Sequence, residues 1–116
     1  MREPLDTAKL YFELSNKSDF GGIEELFTET TKYASPNTGT YLCRSNIMQM
    51  QRAFHSKFVS INWHVSKVEE VEPGVVLIDY DFIGIMPSGE KVVTSGLEYV
   101  TIHNGKIQKI EIQSKS

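Results

Sequence analysis

The spacing of apolar residues changes near Phe58, and that change limits the folds open to this chain. Before it, apolar side chains recur at intervals of three and four; after it, they alternate. Helices are therefore expected first and strands last. Grouped in this way, they make an α+β fold rather than an alternating α/β one. A chain of 116 residues fits one domain, 1–116, and can bury a core without metal or disulfide support.

The first helix is expected over Leu5–Asn16, with Thr7, Leu10, Tyr11 and Leu14 on one stripe. Asp19 is placed to cap a second, shorter helix carrying Phe20, Ile23, Leu26 and Phe27. Thr31, Tyr33 and Ser35 alternate as a short strand would, and Pro36-Asn37-Thr38-Gly39 is a turn signal. Ser45 then reads as the cap of a third helix, on which Ile47, Met50, Phe54 and Phe58 share a face. Four long strands follow, at Val59–Val71, Val75–Ile85, Lys91–His103 and Lys106–Gln113. They are separated by Glu72-Pro73-Gly74, Pro87-Ser88-Gly89 and the hairpin pair Asn104-Gly105. Consecutive strands joined by tight turns make an antiparallel meander.

The second long strand carries Ile78, Tyr80 and Phe82 on one face and Val75, Leu77, Ile83 and Ile85 on the other. Three helices cover only one side of such a sheet. The other side, interrupted by Asp79 and Asp81, is expected to pack against a second copy of the chain. The alternative is a set of scattered exposed apolar residues, which is ordinary for a monomer.

Other classes of function find no support. The 12 lysines and arginines are scattered and the net charge is −3, which argues against a nucleic-acid surface. No apolar run has the length to cross a membrane. The one cysteine, Cys43, has no internal partner, so a reducing, cytoplasmic setting is expected. His55, His64 and His103 show no metal-ligand spacing, and no phosphate loop, nucleophile elbow or dinucleotide fingerprint occurs. Neither a metal nor a cofactor is expected. His55 reads as a complement to the third helix's dipole, and His103 as solvated.

The order of elements resembles the NTF2-like superfamily, the cystatin-like cone shared by nuclear transport factor 2, ketosteroid isomerases and SnoaL-type polyketide cyclases. The residues that carry the resemblance are Tyr11 to Phe27, YFELSNKSDFGGIEELF, and Gly-Lys-Ile-Gln at residues 105–108. In ketosteroid isomerases a hydrogen-bonding tyrosine lies on the first helix, where this chain has Tyr11. A protonated carboxylic acid lies on a late strand, where this chain has Glu98. The aspartate base before a proline is replaced here by Ser35, followed by Pro36. A serine with no base beside it does not take a proton from carbon at neutral pH, so the steroid-isomerase route is not expected.

The same resemblance turns Tyr80, Phe82, Gly96 and Ile112 toward the helices, with Met50 and Phe54 closing a pocket. Asn62 and His64 are placed inward opposite Trp63, and Gly96 leaves space beside Glu98. The resemblance implies a small, partly apolar organic ligand held by Tyr11 and Glu98, with Ser35 among the ligand-binding residues in the place of the base. An isomerase, cyclase or hydratase is the natural class if the chain is an enzyme, with His64 or Glu98 as base. The competing readings are a core tyrosine at Tyr11, an exposed strand glutamate at Glu98, and a surface histidine at His64. At the level of function the competitor is a non-catalytic dimeric module whose cone is filled by Tyr80, Phe82 and Met50.

Overall fold

The computed structural model describes residues 3–114. Its elements are α1 (Pro4–Asn16), α2 (Phe20–Leu26), β1 (Phe27–Ser35), β2 (Gly39–Leu42), α3 (Arg44–His55), β3 (Ser60–Glu72), β4 (Val75–Ile85), β5 (Lys91–His103) and β6 (Lys106–Ser114). The six strands form one sheet in the order β2-β1-β6-β5-β4-β3. The α+β fold expected from the pattern is therefore present, with three helices packed on a curved sheet as the resemblance implies. No helix among the described residues is long and apolar enough to cross a membrane.

Alternation drives the sheet. Along β4 every second residue is buried: Val76, Ile78, Tyr80, Phe82 and Gly84. On β5 the buried set is Gly96, Glu98, Val100 and Ile102. These faces meet Ala8, Ile23, Leu26 and Ile47 from the helices, all essentially inaccessible to water. On α1 the inner stripe is Thr7, Ala8, Tyr11, Phe12 and Ser15, with Leu10 and Leu14 half-buried at its margin. Asp19 caps α2 as expected, its carboxylate accepting from the Gly22 amide at 3.1 Å.

The four long strands form the expected antiparallel meander, but three local features depart from the expectations or go beyond them. The first concerns α3, which starts at Arg44 with Cys43 at its N-cap (φ 69°) and no side-chain cap. Ser45 lies inside the first turn, its hydroxyl 3.5 Å from the Cys43 sulfur. The second is β2, which follows the Pro-Asn-Thr-Gly turn directly. It has no alternation to announce it, because Leu42 is 61% exposed.

The third is the pairing of β1 with β6, which is parallel in an otherwise antiparallel sheet. Its register shifts between Phe27 and Lys32. Thr31 bridges the gap: its hydroxyl accepts from the Thr28 amide at 2.7 Å and donates to the Ile107 carbonyl at 2.7 Å.

The outer edge of β3 is covered by a side chain. Asn16, the last residue of α1, accepts from the Trp63 amide at 2.6 Å and donates to the Trp63 carbonyl at 3.1 Å. One amide thus completes both backbone bonds of a strand residue that has no neighbouring strand on that side. Asn16→Ala is expected to lower stability by about 1–2 kcal/mol in urea unfolding, with both partly buried bonds lost. An unchanged midpoint would show that water replaces them at no cost.

Candidate active site

The helices do not fill the concave face of the sheet. A cavity of about 250 Å³ remains between α1, α3, β1 and strands β3 to β6. Its wall is mainly aromatic. Phe82 is the centre of that wall, with ring centroids 4.9 Å from Trp63, 5.3 Å from Phe54 and 5.4 Å from Phe58. Asn37 and Thr94, both exposed, mark where the cavity meets solvent.

Tyr11, Ser35, Met50, Phe54, Tyr80, Phe82, Glu98 and Ile112 all border this space. Gly96 is buried beneath it instead of forming part of its surface. The Tyr80 ring lies across the Gly96 backbone, so an added Cβ would sit 2.7 Å from the Tyr80 hydroxyl. The space expected beside Glu98 is thus taken by a phenol. Asn62 and His64 contradict their expected placement: both are exposed, and Trp63 between them lines the cavity. Alternation forces this outcome, since neighbours in a strand point to opposite faces. His64 pairs in register with Asp81 on the convex side.

Glu98 is 4% exposed, and its Oε2 has no hydrogen-bond partner. Among the described residues, no lysine or arginine borders the cavity. Burial without a compensating cation pushes its pKa up to about 8, so at neutral pH the group is mainly a neutral acid and a donor. Tyr11 accepts a hydrogen bond from Gln51 Nε2 at 2.8 Å, which leaves its own proton for another acceptor. Burial, and then the nearby Glu98 carboxyl, hold the Tyr11 and Tyr80 phenols well above their ordinary range. Gln51 Oε1 and Thr38 Oγ1 are also buried without a partner. The cavity therefore offers several donors and one free amide oxygen.

Gln51 and His55 were not expected here. They follow Ile47 at intervals of four, on the buried stripe of α3. Met50 and Phe54 lie beside that stripe, half-buried. His55 Nδ1 lies 2.8 Å from the Ser18 hydroxyl, and its ring packs 4.9 Å from Phe20 and 5.3 Å from Trp63. Burial lowers its pKa below the usual imidazole value.

The sequence model of the SnoaL-like domain matches residues 8–110. The chain belongs to the SnoaL-like family. No curated protein matches this SnoaL-like domain in sequence. Solved structures match it in fold. TerC, co-crystallised with polyporic acid, has a TM-score of 0.82 at 13% identity, over 97% of this chain and 91% of its own. Bal32a, from a soil-derived mobile gene cassette, has a TM-score of 0.85 at 15% identity, over 95% and 87%. A candidate SnoaL-like polyketide cyclase from Shewanella putrefaciens CN-32 has a TM-score of 0.85 at 10% identity, over 97% and 89%. At these identities the likeness is one of fold.

Proposed function

We infer that this SnoaL-like domain holds a small, partly apolar carbonyl compound in its cavity, with the carbonyl oxygen toward Glu98 and Tyr11. The observation that carries this reading is the buried, unpartnered Glu98 Oε2 inside an aromatic cavity. A polar atom that costs free energy when left alone is explained by a ligand that pairs with it. An engineered cavity of about 150 Å³ takes up benzene, so one of about 250 Å³ suits one or two fused rings. Donors aimed at one oxygen suit chemistry beside a carbonyl, as in an isomerase, cyclase or hydratase. TerC, similar in fold, co-crystallised with polyporic acid, which agrees with an organic occupant. A cone plugged by its own side chains would not retain such a cavity. That favours binding over the filled-pocket alternative.

Thermal-shift titration with 2-tetralone and with tetralin, which lacks the oxygen, tests this reading. The ketone should raise the melting temperature and tetralin should not. Glu98→Leu should weaken the ketone about tenfold or more, as expected for a lost buried hydrogen bond. Equal responses to the two compounds would remove the carbonyl from the argument.

The convex face carries Val75, Leu77, Ile83, Ile85, Leu97 and Tyr99, half-buried, beside the exposed Val93. The helices pack on the opposite face, and a second copy of the chain covering this one accounts for the apolar surface. Sedimentation should show a dimer. A monomer at high protein concentration would refute it.

A further inference from the structure

We propose that the groove between α3 and β2 is a second part of the binding site, in which Lys57 receives a carboxylate carried on a short arm of the cavity's ligand. This rests on the carbonyl-binding reading and goes beyond it by assigning a further site and the charge of what fills it.

The groove begins where the cavity opens. Asn37, Thr38, Met50 and Phe54 border both hollows. On α3, Asn46, Gln49 and Ala53 extend the surface at intervals of three and four, and Lys57 follows in the turn after the helix. That spacing puts them on one stripe. β2 forms the facing bank with Thr40, Tyr41 and Leu42. The banks are tied at the start of α3, where Asn46 Nδ2 donates to the Leu42 carbonyl at 3.0 Å. The turn before β2 is tied as well, since the Tyr41 hydroxyl donates to the Thr38 carbonyl at 2.8 Å.

The charge of the groove differs from that of the cavity. Among its described residues Lys57 is the one charged side chain, and no carboxylate borders it. Lys17, Arg44, Arg52 and Lys67 each stand beside a glutamate, whereas Lys57 forms no ion pair among the described residues. Its Nζ lies 6.0 Å from the centre of the Phe54 ring, at the outer limit of a cation–π contact. The cation is therefore held beside a ring that both hollows share.

The Thr38 hydroxyl is an independent sign of an occupant. Its oxygen is buried without a partner, on the rim common to cavity and groove. An arm passing over that rim with an oxygen in it accepts the hydroxyl's hydrogen bond and removes the cost of leaving it unmade. Beyond the rim the arm lies over Ala53, one helical turn before Lys57. A single ammonium balances a single negative charge, which selects a carboxylate over a phosphate dianion. The opposite orientation, with the carboxylate inside, would bury a charge among aromatic rings with no described cation to pair with it.

The test compares three probes on the full chain. The first is 2-tetralone. The second carries a 3-carboxypropoxy arm at C6, across the rings from the carbonyl, and the third is the matching neutral amide. Binding is read by quenching of Trp63, the one tryptophan. At low salt the acid should bind about fivefold more tightly than the amide, as the stronger exposed ion pairs allow. The ratio should shrink toward one in high salt. Lys57→Gln should abolish it, and Lys9→Gln, exposed on α1, should keep it. The acid should also shift the Ala53 methyl signal by NMR, and 2-tetralone should not. If 2-tetralone binds, the cavity reading stands, and four results then overturn the proposal alone. They are a ratio near one in wild type, a ratio that survives Lys57→Gln, an Ala53 signal unmoved by the acid, and failure of both arm-bearing probes to bind. No binding by any of the three overturns both.

Discussion

Glu98→Gln should stabilise the protein, by an amount that grows with pH. The folded state holds the Glu98 proton up to a pKa of about 8, whereas an ordinary glutamate releases it near 4.5. Between those values the native chain binds a proton that the unfolded chain lacks, so stability falls as pH rises through the window. This is the reverse of a salt-bridged carboxylate, which gains stability over the same range. Each pKa unit is worth about 1.4 kcal/mol, so at pH 7 the wild type is disfavoured by about 3 kcal/mol. Below the ordinary pKa the penalty vanishes; above the folded pKa it levels off. Glutamine fits the same space and carries no proton to lose. Urea unfolding of both proteins at about pH 5, 7 and 9 should give curves that diverge upward with pH. Parallel curves would mean that Glu98 ionises normally, in contact with water, and the cavity would then lack its acid.

The sheet was largely legible because alternation has a fixed meaning. Ile61, Trp63 and Val65 share a face, and the burial of Ile78, Tyr80, Phe82 and Glu98 follows from the same period. The error at Asn62 and His64 came from reaching past that period: placing them inward required Trp63 to point away. The α3 error is different. Two sets fit a helix there, Ile47 with Met50, Phe54 and Phe58, and Ile47 with Gln51 and His55. Pattern alone favours the apolar set, because polar residues are usually exposed. Beside a cavity that preference weakens, since both stripes face the interior and the polar one carries the hydrogen bonds. The signal was present as two polar residues at intervals of four from Ile47. Nothing local announced the parallel pairing of β1 with β6, whose partners lie more than 70 residues apart in sequence. Thr31, which holds that junction, looked like any strand threonine.

Phe82→Ala should cost about 3 kcal/mol or more, near the lower part of the range for removing a buried phenylalanine. Phe82 is 3% exposed and touches three other rings, so its loss removes the wall that Trp63, Phe54 and Phe58 lean on. The cost is limited because one side of the ring already faces empty space and has no packing to lose. Those two statements separate a hollow kept for a ligand from a loosely packed core. If the hollow is real, the removed ring joins it to make one larger cavity, and a bulkier ketone than 2-tetralone should restore much of the lost stability on binding. If the space is only slack, neighbouring side chains collapse into it. The cost then falls to the transfer part alone, and no larger compound gains affinity. Chemical unfolding with and without a three-ring ketone gives the answer, and the pair of values together is diagnostic. A large cost reversed by a larger ligand is the signature of a binding cavity, because only a cavity with a fixed outline can exchange a side chain for a guest.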